Sequence, residues 1–368
     1  MQNANGTMEA TVHSEPRLPT LMRAAVYRGP NRMALETVPV PEIGPGELLV
    51  RIHACGVCGT DLKKIEHGLV DPPRIFGHEM AGTVISSGME VTKFAPGDRV
   101  AVYHHVPCRR CFYCCKKLFS QCAHYRRTGT TAGFEPAGGG FATYMRVMDW
   151  IVEEGTILIP SDVTFEEASF LEPLNTCLKA LETAELEAGE VVVIFGQGPV
   201  GLLLTQAAAL QGAHVVGLDL IQSRLNLSRE LGAEAALNPK THAPASVLAR
   251  FTEGRGADLA IVATADARVV GAAQEAVRRG GRVLLFASTV PGEMIPIDAS
   301  RVCVEEKRLI GSYSSSVELQ DRAAEWIFTR KINVTRLISH RLPLEQFAEA
   351  IHISSHPSEN SLKVIIQP

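Results

Sequence analysis

Two rhythms of apolar and polar positions divide the chain. From Met22 to about Ile159 the apolar runs are short, β-branched and broken by glycine: MRAAVYRG, GELLVRIHAC, AGTVISSG, GDRVAVY and GFATYMRV. Runs of that kind between turn residues predict a mainly β region. After Pro160 the rhythm lengthens. Residues 164–182 are spaced as a helix, and VVVIFG, HVVGLDL, LAIVATA and RVLLFA then alternate with helical stretches, which predicts parallel βαβ units. These segments are apolar throughout, as strands covered on both faces should be. Past Lys307 come RLIGSYSSS, a helical run over 321–329, and LKVIIQP, read as a strand that returns to the first region. The longest apolar stretch, VVVIFGQGPVGLLLTQAAALQGAHVVGL, is interrupted by Gly196, Gln197, Gly198 and Pro199, so strand, turn and helix explain it better than a membrane span.

A chain of 368 residues exceeds the size at which one hydrophobic core stops growing, and two domains are expected. Residues 1–20 are polar and small, with neither a basic start nor an apolar run, and read as a disordered tail, not a secretory signal. A formal net charge of −4 offers no basic surface to nucleic acid or to an anionic membrane, which leaves a small molecule as the expected partner. Nine cysteines in this length are too sparse for a disulfide scaffold, and their clustering suits thiolates kept reduced in the cytoplasm.

Four of those cysteines, Cys108, Cys111, Cys114 and Cys122, lie close together in VPCRRCFYCCKKLFSQCAHY. The spacing lets one loop wrap four thiolates around a tetrahedral zinc, a closed site that stabilises a lobe and leaves no corner for substrate. The competing reading is four scattered core cysteines. Arg109, Arg110, Lys116 and Lys117 between them favour the thiolate form, and Cys115 is surplus to the count.

Upstream, CGVCGTD and GHE supply Cys58, Thr60, Asp61, His78 and Glu79. A thiolate and an imidazole make half of a catalytic zinc site, which needs a third protein ligand and an open position. Each motif alone is weak, since a lone histidine beside a glutamate is more often a surface or core pair. On chemical grounds the Thr60 hydroxyl is the candidate proton relay and Asp61 the carboxylate that holds the His78 ring in its metal-binding tautomer. A local turn role is the plain alternative for Thr60.

Downstream, VVVIFGQGPVG sets Gly196, Gly198 and Gly201 in a G-x-G-x-x-G pattern, with Pro199 and Val200 opening the helix that follows. Small residues there let backbone approach a pyrophosphate, whose charge meets the helix N-terminus. HVVGLDL ends in Asp219, 18 residues past Gly201, where a carboxylate bonds the ribose hydroxyls and repels a 2′-phosphate. NAD is thus expected in preference to NADP, with Arg224 placed near the adenine or in a helix salt bridge. Metal and dinucleotide in one chain point to metal-assisted hydride chemistry.

The ordered set CGVCGTD, GHEMAGTV, GDRVAVY, the cysteine loop, GGFATYM, EPLNTCLKAL and GQGPVG with Asp219 resembles the zinc-dependent medium-chain dehydrogenases, the family of alcohol, sorbitol and threonine dehydrogenases. The resemblance runs from about Met22 to the C-terminus. It implies an α/β protein in which a GroES-like, mainly β catalytic domain (21–173 and 310–368) is split around a Rossmann domain of doubly wound parallel sheet (174–309). It implies two zinc ions per chain, one structural and one catalytic, the latter held by Cys58, His78 and Glu172, with Glu79 as a neighbouring carboxylate and Lys363 as its basic partner. A homodimer or homotetramer is also implied. The chain departs from the pattern at Lys63, where many relatives carry a relay histidine, so the proton would leave Thr60 for the cofactor ribose, water or His67. It departs again at Ser314 and Ser315, where sorbitol dehydrogenases carry Arg-Tyr, which argues against sorbitol itself. The expected activity is NAD-dependent oxidation of a secondary hydroxyl in a polyol, sugar derivative or hydroxy amino acid. Threonine 3-dehydrogenase and sugar-acid dehydrogenase are the enzymatic competitors, and a non-catalytic dinucleotide-binding protein is the competitor of another class.

Overall fold

The computed structural model describes residues 18–103, 106–128, 139–287 and 292–368. Most of the tail expected over 1–20 therefore lies outside the described residues.

The apolar strands of the second region form a six-stranded sheet. Val191–Phe195 lies inside it, with His214–Leu218 and then Ala235–Leu237 on one side and Ala257–Val262, Val277–Leu285 and Arg308–Gly311 on the other. All five pairings are parallel. That order reverses direction beside the first strand, which makes it a doubly wound Rossmann sheet with its ligand crevice at the carboxyl end of Val191–Phe195. Period-two geometry explains the unbroken VVVIF: Val192 and Ile194 enter one core, while Val191, Val193 and Phe195 enter another on the opposite face. Each apolar side chain so buried contributes about 1.5–3 kcal/mol.

The first region forms two sheets of a GroES-like fold. Leu21–Gly29, Arg32–Pro39 and Arg74–Ile75 make the smaller one, and Leu48–Gly56 with Glu79–Ser87 lies at the heart of the larger. The expected return of the chain is found in Lys363–Gln367, which sets Ile365 opposite Gly56. Gly56 is in turn opposite Glu79 across the next pairing. Lys363 thereby arrives beside the GHE segment, 284 residues from Glu79 in sequence.

The helical stretch expected over 164–182 is two helices, Phe165–Ala168 and Leu171–Thr183. Thr164 and Glu167 close a capping box on the first. The break at Ser169 and Phe170 lets Pro173 occupy the first turn of the second helix, where its missing N–H is not needed; a continuous helix would have held it in the interior. The run expected over 321–329 is Gln320–Phe328. The strand of RVLLFA begins earlier than expected, at Val277, and strand Ile338–Pro343 and helix Phe347–Ser355 were not anticipated. No helix among the described residues is long and apolar enough to cross a membrane.

Candidate active site

Cys58 ends an extended segment and caps helix Gly59–His67, its Sγ accepting from Thr60 N at 3.5 Å while Asp61 Oδ2 accepts from Cys58 N at 3.2 Å. The reciprocal box fixes the thiol at the helix start. Strand Glu79–Ser87 delivers His78 and Glu79 to the same place, so that one ligand atom from each of Cys58, His78 and Glu79 lies within 4.8 Å of the others. Asp61, fully buried, sets Oδ1 3.2 Å from His78 Nδ1 and so leaves Nε2 as the ring nitrogen for a metal. Thr60 is exposed, next to this group through its backbone N. Lys363 Nζ donates to Glu79 Oε1 at 2.8 Å and Oε2 at 2.6 Å, and to Val57 O at 3.2 Å, making a buried ion pair.

The charges around the thiol favour a cation. Burial works against a protonated His78, yet Asp61 and Cys58 together raise it well above its ordinary value. Burial would also raise Asp61, but His78, then Lys64 and the Cys58 amide, hold it below the usual carboxylate range. A soft thiolate, an imidazole and a carboxylate converging in such a field are a donor set that fits zinc.

Glu172, the ligand drawn from the resemblance alone, stands outside that three-residue cluster. It lies in the first turn of Leu171–Thr183, where its Oε1 accepts from Thr176 Oγ1 at 3.2 Å. Burial pushes its carboxyl up to about 7, against the pull of His78. It is close enough to His78 and Glu79 for their charges to act on it, and a cation there would return it to the ionised form.

Sequence reading missed several neighbours. Lys64, one turn beyond Asp61, is buried within the field of Asp61, Cys58 and Glu172. Ser314 and Ser315 are joined to two tyrosines: Tyr103 OH donates to Ser315 Oγ at 2.9 Å, and Tyr125 OH lies 2.9 Å from Ser314 Oγ and donates to Ser315 O at 3.0 Å. Burial pushes Tyr125 up to about 12, so both partners are neutral hydroxyls. Asn175 pins this segment to the Glu172 helix through Ser316 N and Ser316 O, each at 2.9 Å.

Cys108, Cys111, Cys114 and Cys122 come together with their sulfur atoms within 4.8 Å of one another, a second donor set that fits zinc. Amides of Arg110 and Cys111 draw the Cys108 thiol down to about 6. Cys115 points elsewhere, its Sγ 3.8 Å from Arg110 O, and takes no part in the cluster.

At the glycine turn, Gly196 has φ 98°, a left-handed backbone that leaves the strand for the helix. Gly198 is the N-cap of Pro199–Leu210, with Pro199 and Val200 in its first turn. A Cβ on Gly201 would collide with the carbonyl oxygen of Gly196. Gly201→Ala is therefore expected to destabilise the chain by about 1–3 kcal/mol and to weaken NADH binding; thermal unfolding and NADH titration check it, and an unchanged melting temperature would contradict the packing argument. Asp219 closes the crevice, its Oδ2 accepting from Gln197 N at 2.6 Å and Oδ1 from Ile221 N at 2.9 Å. Arg224 donates through Nη2 to Ser361 O at 2.9 Å and lies in the field of Asp219 and Glu359.

Comparison with known proteins agrees with this arrangement. Residues 44–156 match the alcohol dehydrogenase GroES-like domain and residues 199–329 match the zinc-binding dehydrogenase model. Sorbitol dehydrogenase of Gallus gallus is 32% identical over 337 residues, 89% of this chain and 91% of that protein. Sorbitol dehydrogenase of Bacillus subtilis is 29% identical over 95% of this chain and 98% of its own length. A putative zinc-binding dehydrogenase from Sinorhizobium meliloti, solved with NADP, superposes with a TM-score of 0.84 at 29% identity, covering 95% of this chain and all 100% of that one. With its metal-fitting cysteine and histidine, its Rossmann crevice and these matches, the chain belongs to the zinc-dependent medium-chain dehydrogenases and is an alcohol oxidoreductase.

Proposed function

We propose that this chain oxidises the secondary hydroxyl of a polyol or sugar derivative to a ketone, with NAD as hydride acceptor and one zinc at the Cys58 centre. The observation that carries the reading is the convergence of Cys58, His78 and Glu79 within 4.8 Å, beside a helix whose first turn holds Glu172. Cys58, His78 and Glu172 hold the ion, and Glu79, neutralised by Lys363, is the carboxylate next to it. When bound, zinc supplies Lewis acidity that eases loss of the hydroxyl proton, and the nicotinamide supplies the hydride acceptor. Asp61 fixes the His78 ring through Nδ1. Thr60 takes the hydroxyl proton at its Oγ1 and, being exposed, passes it to water. The turn Gly196–Gly201 brings backbone amides to the pyrophosphate, and Asp219 receives the ribose hydroxyls.

The four-cysteine loop holds a second, closed zinc. Its thiols must shed protons to bind, and while Cys108 is drawn down to about 6, burial and its neighbours hold Cys114 up at about 12, so zinc uptake by the chelator-stripped chain should weaken steadily as pH falls from the alkaline side through neutrality; affinity independent of pH across that range would contradict the assignment. The domain division 21–173 with 310–368 around 174–309, a cytoplasmic setting that keeps the cysteines reduced, and a homodimer or homotetramer complete the proposal.

A sugar acid is a second reading that one observation favours. Lys64 is buried one turn from Asp61, where its ammonium could meet a substrate carboxylate. A panel of polyols, threonine and aldonates, each with NAD and NADP, tests both. Polyols with NAD should be the best pair, and faster aldonate turnover would favour the second reading. Binding of NADH with no alcohol oxidised anywhere on the panel would reduce the protein to a dinucleotide binder.

A further inference from the structure

The adenosine end of the crevice carries a negative group besides Asp219. Helix Gln222–Glu230 starts just after that strand end, and its N-cap, Ile221, has no side-chain oxygen to offer the free amides of the first turn. A carboxylate from far along the chain serves them instead: Glu359 Oε1 accepts from Gln222 N at 3.3 Å and Oε2 from Ser223 N at 2.9 Å. Ser223 Oγ donates to Glu359 O at 2.7 Å, which fixes the backbone as well as the side chain. The segment is closed on itself by Ser361, which is 4% exposed and whose Oγ accepts from Ser358 N at 2.7 Å. Ser361 O takes the guanidinium of Arg224, and Arg224 Nη1 reaches to 3.6 Å from where a Cβ on Gly198 would stand. Residues 358–361 therefore occupy the amides of one helix start and tether Arg224, which borders both the glycine turn and Asp219.

A nearby arginine is the device by which a Rossmann crevice accepts a 2′-phosphate, and free amides at a helix start attract phosphate in general. Here the amides are committed to an anion, and Arg224 is tied through Nη2 to Ser361 O while its buried Nε has no partner. We infer that Glu359 selects the cofactor: its carboxylate stands where the 2′-phosphate of NADP would seek the amides of Gln222 and Ser223, and so refuses NADP from the C-terminal side of the crevice. The inference rests on the reading of the glycine turn and Asp219 as the dinucleotide site. Donation from Ser223 and then Gln222 holds Glu359 below its ordinary value, so it is an anion at neutral pH. Arg224 lies in the field of Asp219 and Glu359 together, which leaves it less attractive to a phosphate than a lone arginine.

The test is binding of NADH and of NADPH to the full chain, followed by nicotinamide fluorescence, in the wild type, Glu359→Gln and Glu359→Ala. Thermal unfolding of each variant confirms that it is folded. Relative to NADH, NADPH should gain affinity on the order of ten-fold in Glu359→Gln, the size of one charge-assisted hydrogen bond made available, and at least as much in Glu359→Ala. A ratio within about two-fold of the wild type in both variants overturns the inference, including the case in which both affinities fall together and Glu359 is a helix cap only. The dinucleotide reading is checked separately on the same titration with Asp219→Ser. NADH affinity unaffected by that change would sink the site reading, whereas a flat ratio at Glu359 with a large loss at Asp219 would sink only the selector.

Discussion

Cys58→Ser is expected to lower alcohol turnover by roughly 10³-fold and to release about one zinc per chain, with the fold retained. The substitution separates two jobs of the same residue. Cys58 caps helix Gly59–His67 through its Sγ, and serine is among the best N-caps, so the hydroxyl keeps the bond to Thr60 N and the box with Asp61. What it lacks is the thiolate that fits a soft cation beside His78. Circular dichroism and thermal unfolding should therefore match the wild type while zinc content and turnover drop. A stable variant that keeps both its metal and its activity would remove Cys58 from the centre.

Lys363→Met is expected to cost about 3–5 kcal/mol of stability, more than any surface change in the chain. Its Nζ lies 2.6 Å from Glu79 Oε2, with the lysine 4% and the glutamate 2% exposed on their side chains. Burial works against the ammonium, but Glu79, then Cys58, raise it above its ordinary value, so the pair is charged as built. Removing the cation leaves a carboxylate in a dry pocket. Glu79→Gln combined with Lys363→Met should recover much of the loss, because neither buried charge remains. Urea midpoints of the two single variants and the double variant check this, and independent, additive losses would contradict the pairing.

Both centres were legible in the sequence for a chemical reason: thiolates and imidazoles are few, and their spacing is dictated by the ion. The four-cysteine loop is local, so one segment carried its whole geometry. VVVIFGQGPVG followed by Asp219 was legible likewise, because a strand, a turn requiring φ > 0 at Gly196 and a helix are consecutive. Groups assembled across the chain were harder to read. Lys64 reads in sequence like its neighbour Lys63, one of two surface lysines on a polar helix, and only packing of that helix buries it. The tyrosine partners of Ser314 and Ser315 come from two separate segments, 189 residues and more from the serines. Glu359 carries no motif, and its place on the helix after Asp219 follows from where Lys363–Gln367 docks. The break at Ser169 was readable in Thr164, Glu167 and Pro173, but the apolar period of the whole stretch masked it.

The central claim is that hydride passes directly between an alcohol carbon beside the Cys58 centre and a nicotinamide in the Rossmann crevice. Oxidising a polyol deuterated at the reacting carbon with NAD, and weighing the NADH formed, tests it most directly. Deuterium carried into the NADH, and lost from the Cys58→Ser reaction, is the predicted result; ketone formed without deuterium in the NADH, or formed equally well by Cys58→Ser, would contradict it.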